Sequence, residues 1–498
     1  MNDIGQALIL LLDFQNILAI FVGVAFGVFM GAIPGLTGTM GIALIIPLTY
    51  NFPPITAFCI LLGTYKGCLF SGCIPAILIN TPGTPAAAAT VLDGYPLNKK
   101  GRGAEAMGMA LWSSVIGDII STVALILGAV YLAKMATQFG PPEFATLVFF
   151  SLTIVAGVSG SSLTKGMIAA AVGFMFGTIG LDPMVATPRF TFGEVSMMDG
   201  ISLMAMLIGL FAVSELLLQA ETTVLNSKKK AVVSKVKISF KQVKERLSTI
   251  IRGSLIGIVL GSIPGLGATP AAFLSYAEAK RKSKTPEEFG KGSLDGVAAA
   301  ESANNATCGG ALIPLLALGV PGDVTTAVLL GAFLIHGLAP GPALFSDHII
   351  IVYAIFLALL IAALMLPIIG LAAIRLFSYI VRIPRSVLYP VIAMLCMMGV
   401  YGFNSSEMDL WIMLGFGVIG YGMRKLDFPL APMMIGFVLL PLGEQSVRQA
   451  LIISSGKWNI FISTPISVAF LLAAILSISF ITYRSVNTPQ KNEASNEV

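Results

Sequence analysis

Charge is what this sequence has least of. Asp, Glu, Lys and Arg make up 11% of its 498 residues, against about a quarter in a soluble globular protein. A soluble fold is therefore excluded. Histidine is nearly absent too. The two present, His336 and His348, fall in one loop and make no helix pair of metal ligands. The five cysteines, Cys59, Cys68, Cys73, Cys308 and Cys396, stand in apolar or small-residue contexts without metal-ligand spacing, and read as packing residues. No G-x-x-x-x-G-K-[ST] nucleotide loop is present, so the chain is not itself an ATPase, and no enzyme signature is found. The start, M-N-D-I-G-Q, lacks a basic region and a small-residue cleavage site, so no removable signal peptide is expected.

Apolar residues fill the space that charge leaves. They reach 56% of the chain, with a mean hydropathy of +0.90. The long apolar stretches recur from end to end and do not alternate with polar residues. That pattern predicts a polytopic all-α membrane protein rather than a β-barrel. The Lys and Arg residues cluster in short loops, as the positive-inside rule expects of a membrane protein.

One stretch occurs twice. Gly27 to Thr39 reads G-V-F-M-G-A-I-P-G-L-T-G-T, and Gly257 to Thr269 reads G-I-V-L-G-S-I-P-G-L-G-A-T. A second Pro-Gly break follows each copy: I-P-A-I-L-I-N-T-P-G-T from Ile74 to Thr84, and I-P-L-L-A-L-G-V-P-G-D from Ile313 to Asp323. Two breaks per half in the same order indicate an internal duplication. Broken apolar segments at matching places point to a transport site. The helix breaks are thus placed at Pro34, Pro82, Gly83, Pro264, Pro321 and Gly322.

The apolar pieces after the first breaks, Thr37 to Pro47 and Ala268 to Ala277, are too short to cross a bilayer and read as re-entrant hairpins. Four crossings are expected after the second break in each half: Ala104–Tyr131, Phe144–Val158, Gly166–Leu181 and Ile201–Leu218, then Ile349–Leu371, Val387–Tyr401, Leu410–Tyr421 and Leu430–Leu440. This gives a first repeat over 1–226, a basic linker over 227–248, a second repeat over 249–455, an extra C-terminal helix over 456–483 and a disordered tail over 484–498. Basic residues follow the second break in the first half (Lys99, Lys100, Arg102) but the hairpin in the second (Lys280 to Lys284). The two repeats should therefore enter the membrane from opposite sides. The N-terminus is expected in the periplasm and the C-terminus in the cytoplasm. The 182–200 and 444–455 loops are expected on the periplasmic side.

The polar residues at the breaks are the candidates for chemistry. A dehydrated cation needs oxygen ligands, and Glu301, Asn304, Asn305, Thr307 and Asp323 could supply them. Thr307 and the asparagines could equally be interhelical hydrogen bonds, and Asp323 a helix cap. An anionic solute needs positive charge and helix N-termini. Lys66, with Thr84, Ser71, Asn80, Gly35 and Gly265, is placed there. Asp118 lies in a long apolar crossing, where a paired structural role is expected.

The G-x-x-x-G-x-I-P-G-L pattern resembles a known family. So do Pro47-Leu48-Thr49, A-I-L-x-N-T-P-G-T-P from Ala76 to Pro85, and E-S-A-N-N-A from Glu301. The family is the large permease subunit of tripartite tricarboxylate transporters. The likeness runs through essentially the whole chain, although Phe70-Ser71-Gly72-Cys73 stands where the family tends to carry Tyr-Gly-Gly-Ser. The resemblance implies an ion-gradient-driven uptake system in the bacterial inner membrane. Its partners would be a small four-helix membrane subunit and a periplasmic solute-binding protein, and its substrate an organic carboxylate. The reading is an elevator-type secondary transporter, a symporter with Na⁺ or H⁺ as coupling ion and no other cofactor. A carboxylate-permeable channel and a non-transporting scaffold or receptor are the alternatives.

Overall fold

The computed structural model describes residues 3–158, 162–182, 184–221, 240–380 and 385–487. The elements within them are almost all helical. The chain runs α1 (Asp3–Leu11), α2 (Phe14–Ala32), α3 (Gly38–Thr49), α4 (Pro54–Ser71), α5 (Cys73–Ile79), α6 (Ala88–Lys99) and α7 (Gly103–Ala136). It continues through α8 (Pro141–Val158), α9 (Leu163–Gly177), α10 (Leu203–Leu207), α11 (Ser214–Glu221), α12 (Phe240–Glu245), α13 (Leu247–Ser262), α14 (Ala268–Lys282) and α15 (Leu294–Leu318). The last are α16 (Val324–Ile335), α17 (Pro342–Asp347), α18 (Ile349–Ile380), α19 (Arg385–Asn404), α20 (Glu407–Lys425), α21 (Leu430–Ile453) and α22 (Pro465–Asn487). Among the described residues, 7 helices are long and apolar enough to cross a membrane. The all-α polytopic fold class is the one the composition predicts. The sole sheet among the described residues is an antiparallel pair, Gly180–Leu181 with Pro188–Arg189.

The chain forms two compact units. One comprises residues 1–138 and 202–422, and the other 139–201 and 423–498. The first unit holds all four Pro-Gly breaks. Its interior is built on glycine stripes. Along α2, Gly23, Gly27 and Gly31 lie against the carbonyls of Ile60, Thr64 and Cys68 on α4. Along α13, Gly253, Gly257 and Gly261 lie against those of Ala299, Ala303 and Thr307 on α15. Small residues every fourth position let two helix backbones touch, which is how helices associate where apolar solvent removes the hydrophobic drive. The duplicated sequence is therefore a duplicated packing.

The second unit packs α21 and α22 with α8 and α9. A close backbone approach recurs there, Gly173 against the Met433 carbonyl. An ion cluster ties the 180–189 hairpin to α21. Arg189 pairs with Asp182 and, at 2.8 Å, with Glu444, while Arg448 reaches Asp182 at 2.9 Å and Glu444 at 2.7 Å.

Several boundaries differ from the sequence reading. The crossing expected to end at Leu440 continues to Ile453, so 444–453 is helix and not loop. Its polar residues mark a terminus only if they need water, and Glu444 and Arg448 instead neutralise each other one turn apart. The basic run Lys280–Lys282 is likewise the last turn of α14, where cations complement the helix dipole. The crossing expected over Ile349–Leu371 is α18, which extends to Ile380. Of the basic linker, residues 227–239 lie outside the described residues, as does the tail from 488.

Candidate functional site

The breaks of the two halves share one backbone geometry. Ile33 and Ile263 leave their helices in extended conformation, at φ −96° and −90°. Gly35 and Gly265 then turn at φ +96° and +89°, a region glycine enters without strain. At the second breaks, Asn80 and Gly319 end α5 and α15 in the left-handed conformation, at φ 61° and 73°. The next amides return to matching prolines, Thr81 N–H to the Pro75 carbonyl and Val320 N–H to the Pro314 carbonyl. Gly83 then sits on the Gly31 carbonyl as Gly322 sits on that of Gly261. These contacts set Tyr65 in the place of Asn304, Lys66 in that of Asn305, and Thr84 in that of Asp323.

Helix starts gather at these breaks. Thr39 and Thr325, near the N-termini of α3 and α16, join hydroxyls at 3.0 Å. Asp323 caps α16, its Oδ1 accepting from the Thr326 amide at 2.7 Å, and the Asp323 amide donates in turn to Thr326 Oγ1. The Gly265 amide donates to the Gly322 carbonyl at 2.8 Å. Gly267, which precedes α14, faces Asp323. Three helix N-termini thus lie around one carboxylate, a setting that favours anions.

Charge is concentrated deeper in the same unit. Lys66, expected to face the solute, is fully buried, with Nζ 3.1 Å from Asp118 Oδ1 and 3.2 Å from Thr122 Oγ1. Asp118 is the partner that the sequence left open, and Lys66 is thereby neutralised inside the bundle. The contact is an ion pair by distance without hydrogen-bond alignment, and Asp118 Oδ2 lacks a hydrogen-bond partner among the described residues. Glu301 is also fully buried. It accepts from Thr90, from Ser114 at 3.4 Å and from Asn305 Nδ2 at 3.4 Å. Among the described residues it has no cationic partner.

The other expected site residues divide in two. Asn304 and Asn305 are buried, and each donates through Nδ2, Asn304 to the Leu69 carbonyl and Asn305 to Ser114 and the Glu301 carbonyl. Among the described residues the Oδ1 atoms of both have no hydrogen-bond partner, and neither has Thr84 Oγ1. Thr307 and Ser71 bond within their own surroundings, to the Asn304 carbonyl at 2.6 Å and to the Gly27 and Cys68 carbonyls at 3.4 Å. Asn80 is exposed and acts as a helix end. Gly35 and Gly265 are half-buried at the tips, and Gln219 Nε2 holds the Gly35 carbonyl at 3.1 Å.

Sequence reasoning missed the hydroxyl partners Thr90, Ser114 and Thr122. For Ser114 and Thr122 the signal is present in α7, where Ser114, Asp118, Ser121 and Thr122 fall on one face of an otherwise apolar helix.

This duplicated arrangement has relatives. A family profile described as the Tripartite tricarboxylate transporter TctA family matches residues 17–435. The chain belongs to the TctA family. The match takes in all four breaks and the Glu301–Thr307 segment. A TctA-family chain is part of a tripartite membrane transporter, and the family is not an enzyme family. Two proteins of Agrobacterium vitis are also similar. One, described as "Uncharacterized 52.8 kDa protein in TAR-I ttuC' 3'region", is 34% identical over 476 residues, 95% of this chain and 94% of that one. The other, "Uncharacterized protein in TAR-II ttuC' 3'region", is 35% identical over 232 residues, 47% of this chain and 96% of that one. No solved structure matches the chain.

Proposed function

We propose that this TctA-family chain is the permease of a secondary active transporter that takes up citrate-like organic carboxylates on a cation gradient. The observation that carries the coupling is Glu301. Among the described residues it is a buried carboxylate without a counter-charge, near two carboxamide oxygens without partners. An isolated buried charge is strongly unfavourable. A cation, H⁺ or Na⁺, would relieve it and be released when the site opens. Asn304, Asn305 and Thr307 stand within the next two turns of the same helix.

The solute's carboxylates would meet the helix starts at Gly35, Gly265 and Thr84. Lys66, neutralised by Asp118 inside the bundle, would not contact the solute directly. The two halves would be inverted repeats. The broken helices of the first unit would move as the carrier of an elevator, in a bacterial inner membrane, with the N-terminus periplasmic and the C-terminus cytoplasmic. A periplasmic solute-binding protein would deliver solute, and a small four-helix membrane subunit would complete the assembly.

Glu301→Gln tests the coupling. It keeps the shape and removes the charge. Uptake should fall at least about tenfold, the value of roughly 1.4 kcal/mol of lost differential binding, and what remains should no longer respond to the cation gradient. Asn305→Ala should raise the cation concentration for half-maximal uptake. Initial rates over Na⁺ and pH series read both. Wild-type cation dependence in Glu301→Gln would contradict the reading.

A further inference from the structure

The two halves place equivalent groups at equivalent breaks but satisfy them differently. In the second half three groups at the break are engaged. Tyr65 donates its hydroxyl to Asp323 Oδ2 at 2.7 Å, Asp323 Oδ1 caps α16, and the Gly322 carbonyl accepts from Gly265. The related groups in the first half are Asn304 for Tyr65, Thr84 for Asp323 and Gly83 for Gly322. Among the described residues, Asn304 Oδ1 and Thr84 Oγ1 are buried without hydrogen-bond partners. Thr84 makes no side-chain cap for the helical turn it precedes. Among the described residues the Gly83 carbonyl accepts no hydrogen bond.

The groups are near one another through α4. Asn304 bonds the Leu69 carbonyl, Thr84 Oγ1 lies over Gly72, and Gly83 also packs on Gly72, one turn beyond Leu69. The cause of the asymmetry is reach. A tyrosine spans the gap to its acidic partner. An asparagine facing a threonine does not.

We propose that the first break is a binding site for one monovalent cation such as Na⁺, held by Asn304 Oδ1, Thr84 Oγ1 and the Gly83 carbonyl, and that the related position in the second half is closed by the protein's own Tyr65 and Asp323. Neutral oxygens suit a weakly charged, hard cation. Among the described residues no three His, Cys, Asp or Glu side chains gather as ligands for a metal ion. Glu301, one turn before Asn304 on α15, supplies the negative charge. Asp323, read from the sequence as a cation ligand, is instead the internal occupant of the closed position. This inference rests on the cation-coupled reading above and fixes where the cation binds and how many sites the duplication yields.

Na⁺ titrated into the purified full-length chain, with choline replacing it as control, tests the site by calorimetry. The expected result is one Na⁺ per chain. Affinity should fall more than tenfold in Thr84→Val and in Asn304→Ala, return in Thr84→Ser, and change less than threefold in Tyr65→Phe. Thermal melts establish that each variant is folded, and the two independent losses keep the test open if one is not. Wild-type Na⁺ affinity in folded Thr84→Val and Asn304→Ala overturns the site, as does a larger loss in Tyr65→Phe. Uptake by the wild type separates this from the broader reading. Na⁺-driven uptake with an unchanged Na⁺ requirement in Thr84→Val overturns the site alone, whereas uptake indifferent to any cation gradient overturns the coupling.

Discussion

Asp118→Ala is expected to destabilise the protein by about 3–5 kcal/mol, because it leaves the Lys66 ammonium alone inside the bundle. Lys66 is fully buried and, among the described residues, has only Thr122 as another bond. The double change Lys66→Met with Asp118→Leu removes both charges and should recover most of that loss, since an apolar pair of similar volume commonly equals a buried ion pair. Thermal unfolding in one detergent compares the three proteins. A single variant as stable as the wild type would show that Lys66 has another partner. A double variant as poor as the single would assign the loss to packing.

The second large effect is expected at the glycine stripes. A methyl at Gly27 would lie 2.1 Å from the Thr64 carbonyl oxygen, and one at Gly257 2.3 Å from that of Ala303. Backbone cannot rotate aside as a side chain can, so α2 and α4, or α13 and α15, must separate. Overpacking of this kind costs about 1–3 kcal/mol per site, occasionally more, against a gain of up to about 1 kcal/mol in helix propensity for alanine. The double variant Gly27→Ala with Gly257→Ala should therefore lose folded yield and melting temperature. Gly415→Ala and Gly422→Ala have open space at the added carbon, and should be neutral or slightly stabilising. Equal behaviour of the two sets would refute the close packing.

The repeat was legible because its causes are local. Proline removes a donor and glycine permits left-handed backbone wherever they stand, so Pro34, Pro82, Pro264 and Pro321 could be read letter by letter. The glycine spacing of α2 and α13 was on view in the same way. Pairings between distant residues were not. Nothing near Lys66 in sequence indicates Asp118, and nothing near Glu301 indicates Thr90. Polar residues misled where they pair inside a helix, as Glu444 and Arg448 do, because a sequence reading takes charge as a sign of water. The asymmetry between Tyr65–Asp323 and Asn304–Thr84 needed side-chain reach, which the aligned letters do not contain.

The most direct measurement is solute accumulation in sealed right-side-out membrane vesicles carrying this chain with its companion subunits and binding protein. With radiolabelled citrate and an inward cation gradient, internal solute should rise above the external concentration. It should then collapse to equality when an ionophore dissipates the gradient. Entry that stops at equal concentrations, with or without the gradient, would mark a channel and contradict the account.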